Sequence, residues 1–324
     1  MRRVDLPAGV TLLLALVAGA LLAPWLSPAD PSTQFDPVAG SNLAPGSERF
    51  EIVTTDGRRR LVRSVTITDR GVAVPGGSGV ILIPAQSIRP TEAGQLVRER
   101  RFLLGTDRFG RDLLTRMLHA SRVSLLVAFL AAALASALGV VVGSAAAIGG
   151  PIAGGLLMRV TDAFVAFPSL FLLLALTSIL NAGPVTVVLV LGATSWMTVS
   201  RLVRAELLRL KATEMALAAT ASGSGRIRKL WSHLLPNAMA PVLVATTLRI
   251  GDVLLLEAAL SFLGFGIRPP APSWGNMIAD GAPDLATAWW TSTLPGIAIV
   301  VTVIAFNMVG DGLQARLRGR RAAG

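Results

Sequence analysis

The sequence lacks cysteine and tyrosine altogether and contains only two histidines among its 324 residues. The absence of cysteine excludes disulfide bonds and thiolate metal ligands. The two histidines, His119 and His233, are too few for a histidine-based metal site, so we expect no bound metal and no cofactor. Charged residues make up 15% of the chain, against about 25% in ordinary soluble domains. With 52% hydrophobic residues, this balance is typical of a membrane protein.

Motifs of the common enzyme classes are also missing. The sequence contains no G-x-x-x-x-G-K-[ST] phosphate-binding loop, and the glycines within residues 222–225 do not have its spacing. It contains no G-x-S-x-G motif for a nucleophilic serine. We therefore expect that the chain is not an enzyme, and that any ATP driving its function is hydrolysed by other subunits.

The chain is basic, with a net charge of +11 from 30 basic and 19 acidic residues. Basic proteins often bind nucleic acid. Here, however, the arginines flank apolar segments, where they set membrane orientation and meet anionic headgroups. The charge distribution therefore predicts contact with membrane lipid and no binding of nucleic acid.

Six apolar segments are long enough to cross a bilayer, which requires about 20 mostly apolar residues per helix. The long charge-free runs are interrupted at Gly149-Gly150-Pro151 and at Asn181-Ala182-Gly183-Pro184, both typical turn sequences. The pattern predicts an all-α integral membrane protein with about six transmembrane helices. These helices are expected at residues 7–26, 123–148, 157–180, 184–203, 238–265 and 292–313.

Positive charge is concentrated in three segments that six spans would place on one side of the membrane. Arg2 and Arg3 precede the first span, and residues 201–236 contain seven Lys or Arg against two Glu. The C-terminal tail adds Arg316, Arg318, Arg320 and Arg321. Because cytoplasmic loops carry the excess of Lys and Arg, we expect both termini and residues 201–236 to be cytoplasmic.

The first span has two interpretations. Arg2 and Arg3 before a short apolar run also fit a cleaved signal peptide. The small residues Ala18-Gly19-Ala20, however, lie inside the apolar run, and no clear cleavage site precedes a polar stretch. We favour an uncleaved anchor at 1–26, and cleavage would leave five spans in the same orientation.

Residues 27–108 are polar and rich in proline and glycine, and we expect them on the extracytoplasmic side, between the first two spans. Residues 51–55 and 65–68 flank Asp56-Gly57, a sequence typical of a β-hairpin turn, and residues 79–83 are a further candidate strand. We predict a small extracytoplasmic β-containing insert here. The remaining divisions are the anchor at 1–26, a core with five transmembrane helices at 109–315, and a basic cytoplasmic tail at 316–324.

The segment 201–237 predicts two helices separated by glycine. An apolar stripe at helical spacing indicates that the fourth span continues into the cytoplasm until Ser222-Gly223-Ser224-Gly225. Residues 226–235 then predict a short basic amphipathic helix that Pro236 ends. Such a helix would lie on lipid headgroups or dock a cytoplasmic partner, and the residues alone leave both open. The stripe consists of Val203, Leu207, Leu210 and Leu217.

Three charged residues fall within the predicted fifth span, although a charge at the bilayer centre costs about 2.5–3.5 kcal/mol. Arg249 and Asp252 are three residues apart and can form an ion pair on one face of the helix. Glu257 has no oppositely charged residue within one turn in the sequence, so it should point into the bundle or toward a water-filled path. Packing at the helix end and lining of a path both stay open for this residue.

Small residues recur in the predicted second span as Gly139-x-x-x-Gly143. Such spacing lets helix backbones approach closely, which matters because lipid is as apolar as leucine. We expect tight packing within the bundle, and the same pattern would also suit contact with another subunit.

Six groups of motifs occur in an order that resembles one transporter family. They are Leu104-Gly105-Thr106-Asp107 with Gly110-Arg111-Asp112 and Ser121-Arg122-Val123-Ser124-Leu125; Met158-Arg159-x-x-Asp162 with Phe167-Pro168; Ala218-Ala219, Gly223 and His233-x-Leu235-Pro236-Asn237; Glu257 to Gly266; Pro269 to Gly275; and Pro295-Gly296, Asn307 and Gly310-Asp311-Gly312-Leu313. From about residue 104 to 313, the chain resembles the C-type permease subunits of ATP-binding-cassette importers for dipeptides, oligopeptides and nickel.

Besides an outer insert that is larger than typical, the chain departs from the family pattern in two places. Leu217 occupies the position where the coupling loop of the family usually has Glu, which places the salt bridge expected there in doubt. After Leu313 the chain is basic, whereas the family tends to continue with acidic residues and a proline. Neither departure removes the glycine or the two-helix form of the loop.

The resemblance implies a permease subunit in a bacterial inner membrane that forms half of a path for peptides or a related small solute. Its expected partners are a second permease subunit in a heterodimer, two cytoplasmic ATP-binding subunits and an extracytoplasmic solute-binding protein. The expected coupling residues are Ala218, Ala219, Gly223, His233, Leu235, Pro236 and Asn237. The outer-face motif comprises Gly105, Thr106, Asp107, Gly110, Arg111 and Asp112, and the candidates for the path or gate are Glu257, Ser261, Arg249 and Asp252.

Two functions from other classes fit the sequence less well than a permease subunit does. A self-sufficient secondary transporter is disfavoured because the six spans show no inverted repeat and few charged residues for ion coupling. A structural membrane anchor for the outer insert would have no need of the segment 201–237.

Overall fold

The computed structural model describes residues 6–27, 29–76, 79–90, 94–180 and 183–322, and for residue 76 and residues 318–322 it describes the backbone only. Several residues named above lie outside this part of the chain. They are Arg2, Arg3, Asn181 and Ala182, together with the side chains of Arg318, Arg320 and Arg321.

The described residues form ten α-helices and six β-strands. The helices are α1 Leu6–Leu26, α2 Leu113–Ile148, α3 Gly150–Ala166, α4 Ser169–Ile179, α5 Pro184–Lys211, α6 Glu214–Ala221, α7 Arg226–Lys229, α8 Leu235–Phe262, α9 Trp274–Gly281 and α10 Trp290–Ala322. The strands are β1 Ser47–Val53, β2 Arg59–Val62, β3 Thr66–Thr68, β4 Gly71–Gly76, β5 Gly79–Pro84 and β6 Arg98–Phe102. A π-helical turn at Leu230–Leu234 joins α7 to α8.

Within the described ranges, five helical segments are long and apolar enough to cross a membrane, and a bent pair gives up to six. The five contain α1, α2, α5, α8 and α10, and the pair is α3 with α4. The predicted all-α membrane architecture is therefore confirmed. Several helices are longer than predicted, since α2 begins at Leu113 and α10 begins at Trp290.

The expected single helix over 157–180 is wrong, because α3 and α4 meet at an angle of 84°. The break falls at Phe167-Pro168, where Phe167 has the extended backbone angles φ −79° and ψ 131°. Proline lacks an N–H and disfavours helical geometry in the residue before it, so α3 ends there. A new helix then begins at Ser169.

The chain divides into two compact units. The first comprises the described residues of 1–18, 123–268 and 298–324, and the second comprises those of 19–122 and 269–297. The first unit is helical. The second contains all six strands together with α9.

Close packing between α2 and α5 organises the first unit. A Cβ atom placed on Gly139 would lie 2.5 Å from Cβ of Val199, and one placed on Gly143 would lie 2.5 Å from the carbonyl oxygen of Ser200. These distances are shorter than van der Waals contact, so only glycine permits the observed approach of the two helices. The small-residue motif therefore packs within the bundle, as expected.

Two three-stranded antiparallel sheets form the β part of the second unit. In the first sheet, β1 lies between β2 and β6, and in the second, β4 lies between β3 and β5. The apolar side chains of Ile52, Val72, Val74, Ile83 and Ile88 pack together in one buried cluster. The predicted β-containing insert is therefore confirmed.

The predicted hairpin has a different second strand. The turn at Asp56-Gly57 is present, with Gly57 at φ 84°, but β1 pairs with residues 59–62 and not with 65–68. Residues 66–68 instead pair with β4 in the other sheet, and the predicted strand at 79–83 is present as β5. A shorter connection brings residues 59–62 opposite β1, because a tight turn sets the register of the strand that follows it.

We predict that Gly143→Val destabilises the protein by about 1–3 kcal/mol, because overpacking forces α2 and α5 apart. Thermal unfolding of the purified protein in detergent measures the effect. Gly155→Val on α3 is the matched control, because a Cβ there meets no heavy atom within 4 Å. Equal losses in both variants would show that helix propensity, and not the α2–α5 contact, accounts for the change.

Candidate functional site

The segment between the fourth and fifth spans reverses direction at Gly223. Helix α5 ends at Lys211, α6 follows from Glu214 to Ala221, and Gly223 then adopts φ 78°. This left-handed conformation favours glycine, because a side chain there would clash with the backbone. The predicted glycine break is therefore present, and α7 begins three residues later.

Helix α7 does not end at Pro236, contrary to the sequence prediction. The chain continues through the π turn at 230–234 directly into α8, and Pro236 lies in the first turn of that helix. In a regular α-helix a proline lacks the i→i−4 hydrogen bond and clashes with the carbonyl group four residues earlier, and here the wider π turn directly before Pro236 accommodates it. The basic segment and the fifth span are consequently one continuous helical element from Arg226 to Phe262.

The predicted apolar stripe is present in three of its four residues. Val203, Leu207 and Leu210 are buried on α5, where they pack against Leu230 and Leu234. Leu217 lies on the separate helix α6 and is 61% exposed. The prediction for Leu217 was wrong because the chain leaves the helix at Ala212 and Thr213.

The seven predicted coupling residues lie in this segment but differ in exposure. Ala219 and Leu235 are buried, His233 is half-buried, and Ala218, Gly223, Pro236 and Asn237 are exposed. Asn237 donates a hydrogen bond to the carbonyl oxygen of His233 at 2.7 Å. The contact between Asn237 and His233 thus braces the junction of the π turn with α8, whereas Gly223 shapes the exposed tip.

Exposed apolar side chains surround the tip of this segment. Ile227 is 68% exposed and Trp231 is 65% exposed, whereas the neighbouring Leu230 and Leu234 are buried. Leu217 and Met215 on α6 are exposed as well. Clustered exposed apolar side chains often mark an interaction surface. We call these four residues, with the basic side chains of Arg226, Arg228 and Lys229, the coupling surface.

Two lysines hold the segment against the bundle and against itself. Lys211 donates from Nζ to the carbonyl oxygen of Ala147, in the last turn of α2. A cation in this position is favourable because the last carbonyl groups of a helix carry partial negative charge. Lys229 on α7 donates to the hydroxyl of Thr220 on α6 at 2.6 Å. The segment is therefore tied to α2 and internally braced.

The outer-face motif lies in the second unit and is fixed there by close backbone contacts and hydrogen bonds. Gly105 has φ 78°, and a Cβ there would lie 2.2 Å from the carbonyl oxygen of Leu43. Thr106 is fully buried, and its hydroxyl accepts a hydrogen bond from the amide of Leu43 and donates to Gly40. Asp112 accepts a hydrogen bond from the amide of Thr115 at 2.9 Å and so caps the start of α2.

Asp107 is the centre of a buried cluster of four charges. Its Oδ2 accepts hydrogen bonds from Arg111 Nε at 2.7 Å and from Arg116 Nη1 at 2.6 Å. Both arginines also contact Asp280 Oδ2, at 2.7 Å and 3.3 Å respectively. The two carboxylates and two guanidinium groups balance one another, as buried charges require. We call these four residues the outer charge cluster.

Two members of the outer charge cluster were not among the predicted site residues. Arg116 and Asp280 are 164 residues apart in sequence, and no local pattern joins them. Burial raises the pKa of Asp280, and the adjacent Arg111 opposes that shift. The only available sequence signal was the presence of an arginine and an acidic residue in segments predicted to lie at the outer face.

Glu257 and Ser261 act together at the end of α8. Glu257 is fully buried, and Ser261 donates a hydrogen bond to its Oε1 at 2.7 Å. The Ser261 hydroxyl also accepts from the amide of Ile267 at 3.0 Å, beyond the end of the helix. This arrangement favours the helix-end packing role over lining of a path.

Arg249 and Asp252 face each other, but their contact is long. Arg249 Nη1 lies 3.5 Å from Asp252 Oδ2, and Nη2 lies 3.4 Å from the carbonyl oxygen of Ser195. The side chain of Arg249 is 21% exposed, and that of Asp252 is 65% exposed. The predicted ion pair is therefore present in a loose form, and Arg249 lies apart from Glu257 and Ser261.

Among the described residues, no group of three or more His, Asp or Glu side chains is placed to hold a metal ion. The main features of the described residues are the spanning helices, the exposed coupling surface and the ordered outer-face motif. These features are typical of a multi-pass membrane protein with a surface that is open to a partner.

Residues 113–322 match the family described as the binding-protein-dependent transport system inner membrane component. This match covers well over half of the chain. The chain therefore belongs to this family, and it is a permease subunit of a binding-protein-dependent ATP-binding-cassette importer. Membership implies a solute-binding protein and ATPase subunits as partners.

Individual relatives agree with this assignment. The chain is 34% identical over 309 residues to the di/tripeptide transport system permease protein DppC of Pseudomonas aeruginosa, covering 95% of this chain and 86% of the relative. It is 38% identical over 213 residues to the dipeptide transport system permease protein DppC of Alkalihalophilus pseudofirmus, covering 66% and 70% of the two chains.

The fold also resembles a solved importer structure. An inward-facing structure of the MetNI methionine ABC transporter aligns with a TM-score of 0.53 at 18% identity. The alignment covers 62% of this chain and 95% of the other. At this identity the likeness concerns the fold alone.

We predict that Asp107→Asn lowers the free energy of unfolding by about 2–3 kcal/mol, because it removes charge-assisted hydrogen bonds from Arg111 and Arg116. Thermal unfolding in detergent measures the change. The matched control is Asp69→Asn in the exposed turn between β3 and β4, which should change stability by less than about 0.5 kcal/mol. Similar values for the two variants would contradict a stabilising role for the outer charge cluster.

Proposed function

We propose that this chain is the permease subunit of a peptide importer and that segment 201–237 couples it to cytoplasmic ATPases. The observation that carries the proposal is the coupling surface, which is exposed, apolar and basic, and continuous with a spanning helix. The two relatives named above are described as transporting dipeptides or tripeptides. We extend that substrate class to this chain.

The structure of the segment favours docking of a partner over simple adsorption to lipid headgroups. A helix that lies on a membrane surface buries one whole apolar face among the headgroups. Here Leu230 and Leu234 are already buried against α5, and only Ile227 and Trp231 remain for an external contact. Together with the exposed Met215 and Leu217 of α6 and three cations, these side chains suit a shaped acidic and apolar groove on a protein.

Continuity of the helical element supports a mechanical role. Since residues 226–262 form one helical element, a displacement of α7 reaches α8 without passing through a loop. The contacts of Lys229 with Thr220 and of Lys211 with Ala147 carry the same displacement to α6 and α2. ATP-driven closure of the ATPases would therefore reorient the spans between inward-open and outward-open states.

The complete transporter would contain this chain, a second permease subunit, two ATP-binding subunits and an extracytoplasmic solute-binding protein. The chain would lie in the bacterial inner membrane with both termini in the cytoplasm. Residues 27–108 would be extracytoplasmic, residues 109–315 would form the core with five transmembrane helices, and the coupling residues would be cytoplasmic. ATP would be hydrolysed by the partner subunits and not by this chain.

We predict that Gly223→Val abolishes substrate-stimulated ATPase activity in the reconstituted complex while membrane insertion stays intact. A β-branched residue disfavours φ 78°, so the tip would change shape. Gly223→Asn should retain much of the activity, because asparagine tolerates this conformation. Gly225→Val is the matched control, since Gly225 has an ordinary φ of −64° and equal open space. Full stimulation in Gly223→Val would count against the coupling role.

We also predict that Trp231→Gln weakens co-purification of the ATPase subunits with this chain by about tenfold or more, a loss typical of a central aromatic interface residue. Trp25→Gln is the control, because Trp25 is also largely exposed but lies at the end of α1. Loss of the ATPases from both variants alike, or from neither, would show that Trp231 is not part of the docking contact.

A further inference from the structure

A cavity of about 300 Å³ lies in the first unit beside the bend between α3 and α4. Helices α5 and α8 complete its walls. The lining is about equally apolar and polar: Phe164, Phe167 and Leu256 are among its apolar residues, and the hydroxyl side chains of Ser169 and Thr198 are among its polar ones. One charged side chain, that of Arg249, also lines it.

The bend itself indicates that this region is not simple packing between helices. Non-helical backbone at membrane depth is tolerated only where it is buried in protein or lines a water-filled cavity. In transporters, broken helices of this kind line the substrate site. The non-helical residues Phe167 and Pro168 line this cavity, and α4 begins beside them at Ser169. The partial positive charge of that helix start adds to the charge of Arg249.

Arg249 is placed where a cation is costly unless it has a function. It lies about halfway along α8, a helix that otherwise carries only Asp252 and Glu257 as charged residues. Its contacts at 3.4 Å and 3.5 Å are at the long limit of hydrogen bonding. The guanidinium group therefore keeps capacity for a stronger, bidentate partner, and a carboxylate is the group that its planar fork fits best.

We propose that Arg249 binds a carboxylate group of the peptide in transit, within the cavity at the α3–α4 bend. This inference rests on the proposed import of peptides and adds the chemical group that the permease recognises. The C-terminal carboxylate is common to all linear peptides, whereas their side chains differ. One fixed cation, in a cavity whose described lining holds no other charged side chain, accordingly suits a subunit that accepts many sequences.

The test measures ATP-driven uptake in proteoliposomes that contain the complete importer and its solute-binding protein. The two probes are trialanine and trialanine amide, which differ only in the C-terminal carboxylate. Both are supplied at saturating concentration to complexes carrying wild-type chain, Arg249→Gln or Arg249→Lys. Any preference of the solute-binding protein for one peptide is the same in all complexes, so it cancels when the ratio of the two uptake rates is compared between complexes.

We expect Arg249→Gln to lower uptake of trialanine by about tenfold or more, as for loss of a charge-assisted hydrogen bond, and to leave uptake of the amide unchanged. Unchanged amide uptake also shows that the variant folds and assembles. Arg249→Lys should retain part of the acid preference, because it keeps the charge but not the bidentate geometry.

Asp252→Asn distinguishes binding from a structural ion pair. If Arg249 serves only to pair with Asp252, this variant should lose as much uptake as Arg249→Gln, and the subsite is refuted. If Arg249 binds substrate, Asp252→Asn should retain uptake of trialanine and its preference over the amide. An Arg249→Gln complex with the wild-type ratio of the two rates refutes the subsite alone. A wild-type complex that imports neither peptide refutes the proposed function and the subsite together.

Discussion

A polypeptide inside a bilayer has no water with which to satisfy its backbone, and this constraint accounts for most of the structure. It requires the long uninterrupted helices α2, α5, α8 and α10. It also explains why the two irregularities of the helical unit occur where they do. The bend at Phe167-Pro168 borders a cavity, and the π turn at 230–234 lies beyond the apolar part of α8.

The second unit is stabilised by a different type of interaction. Its two small sheets bury few apolar side chains, and the outer-face motif is instead fixed by the outer charge cluster and by Thr106. Buried charges persist only when every member has a partner. Arg111 and Arg116 each contact both Asp107 and Asp280, so the cluster joins two chain segments that are distant in sequence. The motif Gly-Thr-Asp is thus a structural element of the outer region.

The sequence was sufficient for features that depend on composition and local pattern. The spans, the glycine break at Gly223 and the turn at Asp56-Gly57 follow from apolar length and from the backbone freedom of glycine. Features that depend on tertiary contacts were not predictable. The pairing of β1 with residues 59–62, the exposure of Leu217 and the partnership of Arg116 with Asp280 depend on which surfaces meet. Pro236 was misjudged because its effect depends on its position within a helical turn.

The π turn also has a consequence for the permitted lengths of the chain. A π-helical turn holds one residue more than an α-helical turn. A residue gained or lost between 226 and 235 without a compensating change in the π turn would rotate everything before it by about 100° around the axis of α8. Ile227 and Trp231 would then point in another direction. Homologous chains should therefore vary freely in length within the outer insert, where loops tolerate insertion, but keep the number of residues between Gly223 and Pro236 constant.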